Sequence, residues 1–245
     1  MCGGMPLWIA GLDILWRRQR RPESTQHPIV TNAIELRDLA ASIGCDIPEE
    51  RAAWLLAYLD AMLEENKSIN LTAVRDREAA VMFHALDSLA MGNAALGLDE
   101  DIETCLDLGT GNGFPGVAIA CLYPEAKVLL MDRTLKKLKA IERALAVAGF
   151  DPEMIGTTQM DAAEGPSKGH KKCFDLITAR AVGPPRKIGA LALPMLPKGG
   201  RLLLWLSDDP SLASLQLKAL PRRGKLDYAL PKPAARQRRL ICFGR

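Results

Sequence analysis

The sequence CLDLGTGNGFPG occupies residues 105–116 and carries most of the information about the architecture of this chain. A short apolar run ends at Leu108, and glycines follow at positions 109, 111, 113 and 116. A glycine-rich loop directly after a buried strand lets the backbone approach a ligand closely at the carboxyl edge of a parallel sheet. The stretch therefore predicts an α/β fold with a nucleotide-like ligand.

The glycines can be aligned with two cofactor-binding patterns. Read from Gly111, they give G-x-G-x-x-G, the dinucleotide fingerprint, which places a pyrophosphate at a helix N-terminus. The first glycine after the strand is Gly109, however, and in that register Phe114 replaces the third glycine. Read from Asp107, the pattern is D-x-G-x-G-x-G, which suggests S-adenosylmethionine. Asp132, after the run KVLLM, can accept hydrogen bonds from the ribose of either cofactor, so the loop alone leaves both open.

Short apolar runs alternate with helical stretches after residue 104. TCLDL, KVLLM, FDLIT and GRLLLWL are typical of buried strands. A helix between the second and the third of these runs has Leu138, Ile141 and Leu145 on its inner face. The alternation predicts a doubly wound, mostly parallel sheet. KLDYAL and RRLICF follow without a helix between them and predict an antiparallel C-terminal edge.

The N-terminal third is predicted to be helical. EERAAWLLAYLDAMLEENK has apolar residues at helical spacing and should bury one face. In the next segment Ala79, Phe83, Leu86 and Ala90 form a buried stripe, while a second face holds polar residues. That polar face either joins a helical cap to the core or contacts RNA or substrate. Its members are His84, Asp87 and Ser88.

Size and composition set the domain organisation. With 245 residues, 48% of them hydrophobic and 25% charged, the chain can form one α/β domain with a small helical appendage. We expect a poorly ordered extension over residues 1–30, a helical N-terminal cap over residues 31–98 and the main domain over residues 99–245. The apolar segment at residues 5–16 contains Asp13 and is too short to span a bilayer. We therefore expect no membrane association, and we also expect a monomer in the reducing cytoplasm, which is the default for a chain without a disulfide pattern.

Cysteine and histidine usage gives no sign of a metal site. The six cysteines are scattered without a C-x-x-C pair, and the three histidines do not cluster. This pattern predicts neither a zinc site nor a disulfide framework. We expect no bound metal.

Positive charge is concentrated in two regions although the net charge is only +3. Residues 221–245 carry eight Lys or Arg against one acid, and residues 133–143 form a second basic cluster. Such clusters either attract polyphosphates or are solvated faces. Together with the polar face of the cap, they give the candidate RNA or substrate contacts. These are His84, Ser88, Lys136, Lys139, Arg143 and Arg238.

Several segments in combination point to one family. INLTAVRD, HALDS, LDLGTGNGFPG, LMDRTLKKLKAIE, TARAV and RRLICF together resemble the bacterial small-subunit ribosomal RNA guanine-N7 methyltransferases, formerly called glucose-inhibited division protein B. The resemblance runs from about Asn32 to the end of the sequence. It implies a class I methyltransferase fold with a small helical cap, S-adenosylmethionine as methyl donor, and 16S rRNA or a small ribosomal subunit precursor as substrate. The cofactor contacts that it implies are Gly109, Phe114, Ala162, Ala163 and Arg180, and with Thr110, Gly111 and Asp132 they make up the candidate cofactor site.

The resemblance leaves some points open. Guanine N7 has a lone pair and no proton, so its methylation needs alignment rather than a general base, and we assign no catalytic residue. Arg180 binds the cofactor carboxylate or an RNA phosphate, or else bridges a strand and a loop. Where the family usually has lysine and glycine, this chain has Leu206 and Ser207. Two alternatives therefore remain: a methyltransferase of the same fold acting on another RNA or a small molecule, and a non-catalytic RNA-binding relative.

Overall fold

A computed structural model describes residues 32–98, 101–206, 215–232 and 234–245. The predicted N-terminal extension and Ser207 lie outside these ranges. Seven strands form one sheet in the order β3-β2-β1-β4-β5-β7-β6. The strands are β1 Thr104–Leu108, β2 Lys127–Asp132, β3 Ile155–Gln159, β4 Leu176–Arg180, β5 Arg201–Leu206, β6 Arg222–Ala229 and β7 Gln237–Gly244.

The sheet has the predicted mixed character. Strands β1 to β5 pair in parallel with one another, and β7 pairs antiparallel with both β5 and β6. The central strands β1, β4 and β5 are almost entirely buried, as expected when helices cover both faces of a sheet. The order of strands reverses between β1 and β4, which is where open α/β sheets form a ligand crevice. The prediction of a doubly wound, mostly parallel sheet with an antiparallel edge is confirmed.

Strand β3 was not among the predicted apolar runs. Its sequence IGTTQ is half-exposed, and only Ile155 is buried. The strand lies at the edge of the sheet and pairs with β2 alone. An edge strand needs little apolar surface, so hydrophobic patterning does not reveal it.

Six helices flank the sheet in the described residues, together with short 3-10 turns. They are α1 Ala33–Ser42, α2 Glu49–Asn66, α3 from Arg77 to Leu89, α4 Gly116–Leu122, α5 Leu135–Val147 and α6 Pro185–Ala192. Helix α1 starts with a capping box in which Asn32 and Glu35 accept each other's backbone N–H. Helix α2 matches the predicted amphipathic helix and packs against α4 and α5. None of the helices in the described ranges is both long and apolar enough to cross a membrane.

Helix α3 differs from the prediction of one apolar and one polar face. It consists of Arg77–Ala80, a π-helical turn Val81–Leu86 and Asp87–Leu89. The predicted polar face is packed into protein, and His84, Asp87 and Ser88 are all buried, whereas Ala79 and Phe83 of the predicted buried stripe are only partly buried. A periodicity argument assumes that one side of a helix faces water. Here the cap lies on one side of α3 and the sheet on the other.

The cap and the sheet share one hydrophobic core. Residues of α1, α2 and α3 belong to the same buried cluster as the apolar residues of α4 and α5, and a second cluster packs the opposite face of the sheet under α6. The boundary predicted after residue 98 falls at two residues that the structure does not describe, so the division into domains stays a prediction. The shared core nonetheless fixes the cap beside the carboxyl ends of the strands.

Candidate functional site

A cleft of about 880 Å³ opens at the carboxyl ends of β1, β2 and β4. One end is lined by the glycine loop, Asp132, Ala162 and Ala163, which we call the cofactor end. The other end is lined by cap residues such as Thr72, Phe83 and His84 and by Arg236, and we call it the cap end. The position agrees with the crevice expected where the strand order reverses.

The glycine loop is held by backbone hydrogen bonds to the neighbouring strand. The N–H groups of Gly109 and Thr110 both donate to the Met131 carbonyl, at 2.9 Å each. Gly113 has a φ of +90°, and a Cβ there would lie 1.9 Å from the Tyr58 hydroxyl. That hydroxyl donates to the Asn112 carbonyl at 2.9 Å, so helix α2 of the cap fixes the loop from behind. Glycine at position 113 is required by both backbone conformation and space.

Asp107, fully buried at the end of β1, ties the loop to two strands and a helix. Its carboxylate accepts hydrogen bonds from the hydroxyls of Thr110 and Thr178, at 2.7 and 2.8 Å, and from the N–H of Gly116 at 3.0 Å. Burial raises the pKa of Asp107, and these three hydrogen bonds oppose the rise. The first N–H of α4 is therefore used internally. In a dinucleotide-binding loop that N-terminus would face the pyrophosphate, so the geometry disfavours the dinucleotide alternative.

Asp132 follows β2 and faces the cleft. Its two carboxylate oxygens accept the N–H groups of Gly111 at 3.1 Å and Thr134 at 2.9 Å. Each carboxylate oxygen has more than one lone pair, so both can accept a further hydrogen bond from a diol in the cleft. The residue therefore fits a ribose-binding role while also stabilising the loop.

Ala162 and Ala163 also lie at the cofactor end. They lie in a 3-10 turn, Ala162–Glu164, and the Asp161 carboxylate caps this turn by accepting the Ala163 N–H at 2.9 Å. Small side chains at these positions leave the backbone accessible beside Asp132. The structure thus brings together Gly109, Thr110, Gly111, Phe114, Asp132, Ala162 and Ala163 along one wall of the cleft.

Arg180, predicted to bind the cofactor carboxylate or an RNA phosphate or else to bridge a strand and a loop, connects β4 with the cap and the glycine loop. One terminal nitrogen donates to the Phe83 carbonyl at 3.0 Å and to Asp87 at 3.2 Å, and the other donates to the Phe114 carbonyl at 3.2 Å. Its side chain is only 12% exposed. Although Arg180 borders the cleft, its terminal nitrogens already have protein acceptors, which supports the structural interpretation.

Asp87 is the buried partner of several groups that sequence reasoning did not connect. Arg238 of β7 donates to both of its carboxylate oxygens, at 2.9 and 2.7 Å, and the Tyr228 hydroxyl of β6 donates at 2.5 Å. The Trp205 indole of β5 donates to the Asp87 carbonyl at 2.9 Å. The signal in the sequence was an acid on a polar face of a helix whose other face is apolar. Its partners lie between 93 and 151 residues away in the chain, so no local pattern identifies them.

His84 lies at the cap end with its ring stacked on Phe114, the ring centroids being 5.8 Å apart. Its Nε2 is 3.0 Å from the Thr72 hydroxyl. Burial and the nearby Arg180 guanidinium lower the pKa of His84 to about 3. The imidazole is therefore neutral at physiological pH, and it supports the ring of Phe114.

The remaining candidate RNA contacts are dispersed. Lys136 and Lys139 are exposed on α5, outside the lining of the cleft. Arg143 forms a two-point ion pair with Glu65 of α2, at 2.9 and 2.6 Å. Ser88 has no exposed surface and cannot contact RNA in this conformation. Arg238 borders the cleft, but its guanidinium group is paired with the Asp87 carboxylate.

Leu206, the difference from the family pattern noted above, lies at the end of β5 and is buried in the core beneath α6. It does not line the cleft. The described residues also contain no group of three or more His, Cys, Asp or Glu that could hold a metal ion.

Comparisons with known proteins agree with this architecture. A family profile described as GidB, rRNA small subunit methyltransferase G, matches residues 51–218. The ribosomal RNA small subunit methyltransferase G of Lachnoclostridium phytofermentans is 30% identical over 209 residues, which are 82% of this chain and 84% of that protein. The protein of the same name from Ligilactobacillus salivarius is 26% identical over 211 residues, covering 84% and 88%. A solved structure described as MtNAS in complex with MTA and tNA has a TM-score of 0.52 at 13% identity and covers 86% of each chain, a likeness in fold alone.

Proposed function

The chain belongs to the rRNA small subunit methyltransferase G family, and we propose that it transfers a methyl group from S-adenosylmethionine to N7 of a guanine in 16S rRNA. The expected class I methyltransferase fold is confirmed. The observation that carries the proposal is the cofactor end of the cleft. There Asp107 orders the glycine loop, and Asp132 offers carboxylate oxygens to a ribose.

The residues present fit S-adenosylmethionine better than a dinucleotide. The first N–H of α4, that of Gly116, already donates to the Asp107 carboxylate. A dinucleotide would need this helix N-terminus for its pyrophosphate, whereas S-adenosylmethionine has no pyrophosphate. Asp132 would hold the ribose hydroxyls, and Ala162 and Ala163 would border the adenine. The bound cofactor supplies a methyl group activated by a positively charged sulfur.

Neither His84 nor Asp107 is suited to act as a general base, which is compatible with this reaction. His84 is neutral and serves as a stacking partner for Phe114, and the carboxylate of Asp107 is enclosed by its hydrogen bonds. N7 of guanine carries a lone pair and no proton, so the protein has to align the base and the methyl group. Correct alignment can account for about 7–11 kcal/mol of the barrier.

The RNA is proposed to approach over the basic rim of the cleft. Lys137 and Lys187 line the cleft, and Lys136 and Lys139 continue along α5. The proposed substrate is 16S rRNA alone or within a small ribosomal subunit precursor, the protein acting as a monomer in the cytoplasm. These cations favour an RNA substrate over a small molecule, because only a nucleic acid has a phosphate backbone that could contact several of them.

The experiment that tests the proposal is mapping of 7-methylguanosine in 16S rRNA. We expect one position to lose the modification in a strain lacking the gene and to regain it on complementation. Complementation with an Asp132→Ala variant serves as the matched negative control. If the modification pattern is the same in all strains, the proposed reaction is wrong, and the other RNA or small-molecule substrates become the leading alternative.

A further inference from the structure

Two aromatic rings of helix α3 line the cleft, those of Phe83 and His84, and the His84 ring is buried against Phe114. From Ala80 to Met91 every residue is buried except Phe83, whose side chain lines the cap end. Phe83 belongs to the π-helical turn Val81–Leu86, a local irregularity that occurs often at functional sites. Phe83 packs against the core with part of its side chain, and the rest of the ring borders the cleft.

The other phenylalanine of the cleft has no free face for a ligand. Phe114 is only 2% exposed and lies between the edge-on ring of Tyr58, at 5.5 Å, and the stacked ring of His84, at 5.8 Å. Phe83 is thus the phenylalanine of the described cleft lining that can offer its face to a flat ligand. Its neighbour is Arg236, whose guanidinium carbon is 5.6 Å from the centre of the Phe83 ring.

Phe83 also lies next to the cofactor end. The Arg180 guanidinium donates to the carbonyl oxygens of both Phe83 and Phe114, at 3.0 and 3.2 Å. One guanidinium group therefore separates the backbone of Phe83 from the glycine loop. A base stacked on Phe83 would lie close to a ligand held by that loop.

On the basis of the proposed function, we propose that the target guanine stacks on the ring of Phe83 and that this ring favours the positive charge that the base acquires. The lone pair of N7 forms the new N–C bond, and the electrons of the broken C–S bond stay on sulfur. No proton moves, and the base gains the positive charge that the sulfur loses. The face of an aromatic ring attracts a cation. Arg236 shows this attraction in the present structure, and the base displaces its guanidinium on binding.

The first test measures nucleotide binding by isothermal titration with S-adenosylhomocysteine present. The probes are 7-methylguanosine 5′-monophosphate and guanosine 5′-monophosphate, at mildly acidic pH where the methylated base keeps its positive charge. We expect the wild-type protein to bind the methylated nucleotide several-fold more tightly than the other. Phe83→Leu should lose the preference, and Phe83→Tyr, which keeps a ring, should retain it.

The second test measures methyl transfer to small ribosomal subunits from a strain lacking the modification. Phe83→Leu should lose about 10- to 100-fold in kcat/KM, the usual effect of removing one base-stacking ring. Phe83→Tyr should remain close to wild type. Phe174→Leu is the matched control, because it removes a buried ring outside the cleft. Binding of S-adenosylhomocysteine should be unchanged in all three variants, which also shows that they are folded.

The outcomes separate this inference from the proposed function. If the wild-type protein methylates rRNA but Phe83→Leu does so equally well, the stacking role is wrong and the reaction stands. Equal affinity of the wild-type protein for the two nucleotides also overturns the stacking role, even if Phe83→Leu fails to fold. A wild-type protein that neither binds S-adenosylhomocysteine nor methylates rRNA defeats the proposed function, and the stacking role with it.

Discussion

Among single residues, Asp132 has two tasks, because it accepts two loop N–H groups and faces the cleft. We expect Asp132→Ala to weaken binding of S-adenosylhomocysteine by about 10- to 100-fold, since hydrogen bonds to a charged group contribute on the order of 1.5–3 kcal/mol each. Isothermal titration measures the change. NAD should not bind to the wild-type protein.

A suitable control for Asp132 is Asp151. It accepts the N–H of Glu153 at 2.9 Å in the same local geometry as Asp132 and Thr134, but it lies outside the cleft. Asp151→Ala should therefore bind S-adenosylhomocysteine as the wild type does. Saturable NAD binding, or wild-type affinity in Asp132→Ala, would remove Asp132 from the cofactor site.

His84 makes stability depend on pH. Its pKa is about 3 in the folded protein, below its ordinary value of 6.5. The unfolded chain therefore takes up a proton as the pH falls through about 6.5, whereas the folded chain does so only near pH 3. The folded state loses stability over this window, by about 1.4 kcal/mol per pH unit.

We expect His84→Gln to reduce that acid sensitivity. Between pH 7 and pH 5 the free energy of unfolding should fall by about 2 kcal/mol less in the variant than in the wild type. Urea denaturation at the two pH values measures the difference, with His170→Gln as the control. Equal pH dependence in wild type and His84→Gln would show that the imidazole is not held neutral in the folded protein.

Between elements, Asp87 connects α3 of the cap with four strands of the sheet, β4 to β7. We expect Asp87→Ala to lower the free energy of unfolding by about 3–5 kcal/mol, because the guanidinium of Arg238 would stay buried without its partner. Thermal and urea denaturation measure the loss. The buried location of the pair, rather than the pairing itself, should determine the size of the effect.

Asp60 provides a matched comparison for Asp87. It also accepts two hydrogen bonds from one arginine, Arg77, at 2.6 and 3.0 Å, but its side chain is 47% exposed. Asp60→Ala should lower the free energy of unfolding by about 1 kcal/mol or less. Equal losses for the two substitutions would contradict the importance of burial at Asp87.

Elements with a regular local pattern could be predicted from the sequence, and those shaped by distant neighbours could not. Helix α2, the strands with apolar runs and the hairpin of β6 and β7 follow from hydrophobic spacing. Strand β3 lacked the apolar run, and the π-helical turn of α3 has no known local signal. At the site, the glycine loop and Asp132 were identified from sequence. The roles of Asp107, Tyr58 and Phe83 were missed because they arise from packing between segments far apart in the chain.

Across the protein surface, the two basic clusters offer fewer unpaired cations than a count of their charges suggests. Arg143, Arg238 and Arg239 are all paired with carboxylates. Lys136 and Lys139 have no carboxylate partner in the part of the chain that the structure describes, so they are better placed to contact phosphates. Much of the basic character of the C-terminal region therefore serves the fold.

We expect Lys136→Gln and Lys139→Gln to reduce the salt dependence of RNA binding. The slope of log affinity against log salt concentration should fall by about 0.7 for each single-strand phosphate contact removed. Arg143→Gln is the control and should change the slope less, because Arg143 is paired with Glu65. Fluorescence anisotropy with a 16S rRNA fragment measures the slopes. If the lysine variants leave the slope unchanged, α5 presents a solvated face and the RNA lies elsewhere.

The order of the last two strands affects how the chain matures on the ribosome. Although β7 follows β6 in the chain, it lies between β5 and β6, so β6 cannot join the sheet until β7 has been synthesised. Arg238 also lies 151 residues after Asp87. Because synthesis adds roughly 5–20 residues per second, Arg238 is made on the order of ten seconds after Asp87. During translation the growing chain therefore carries an uncovered edge at β5, and a chain that stops before β7 is a natural target for chaperones and proteases.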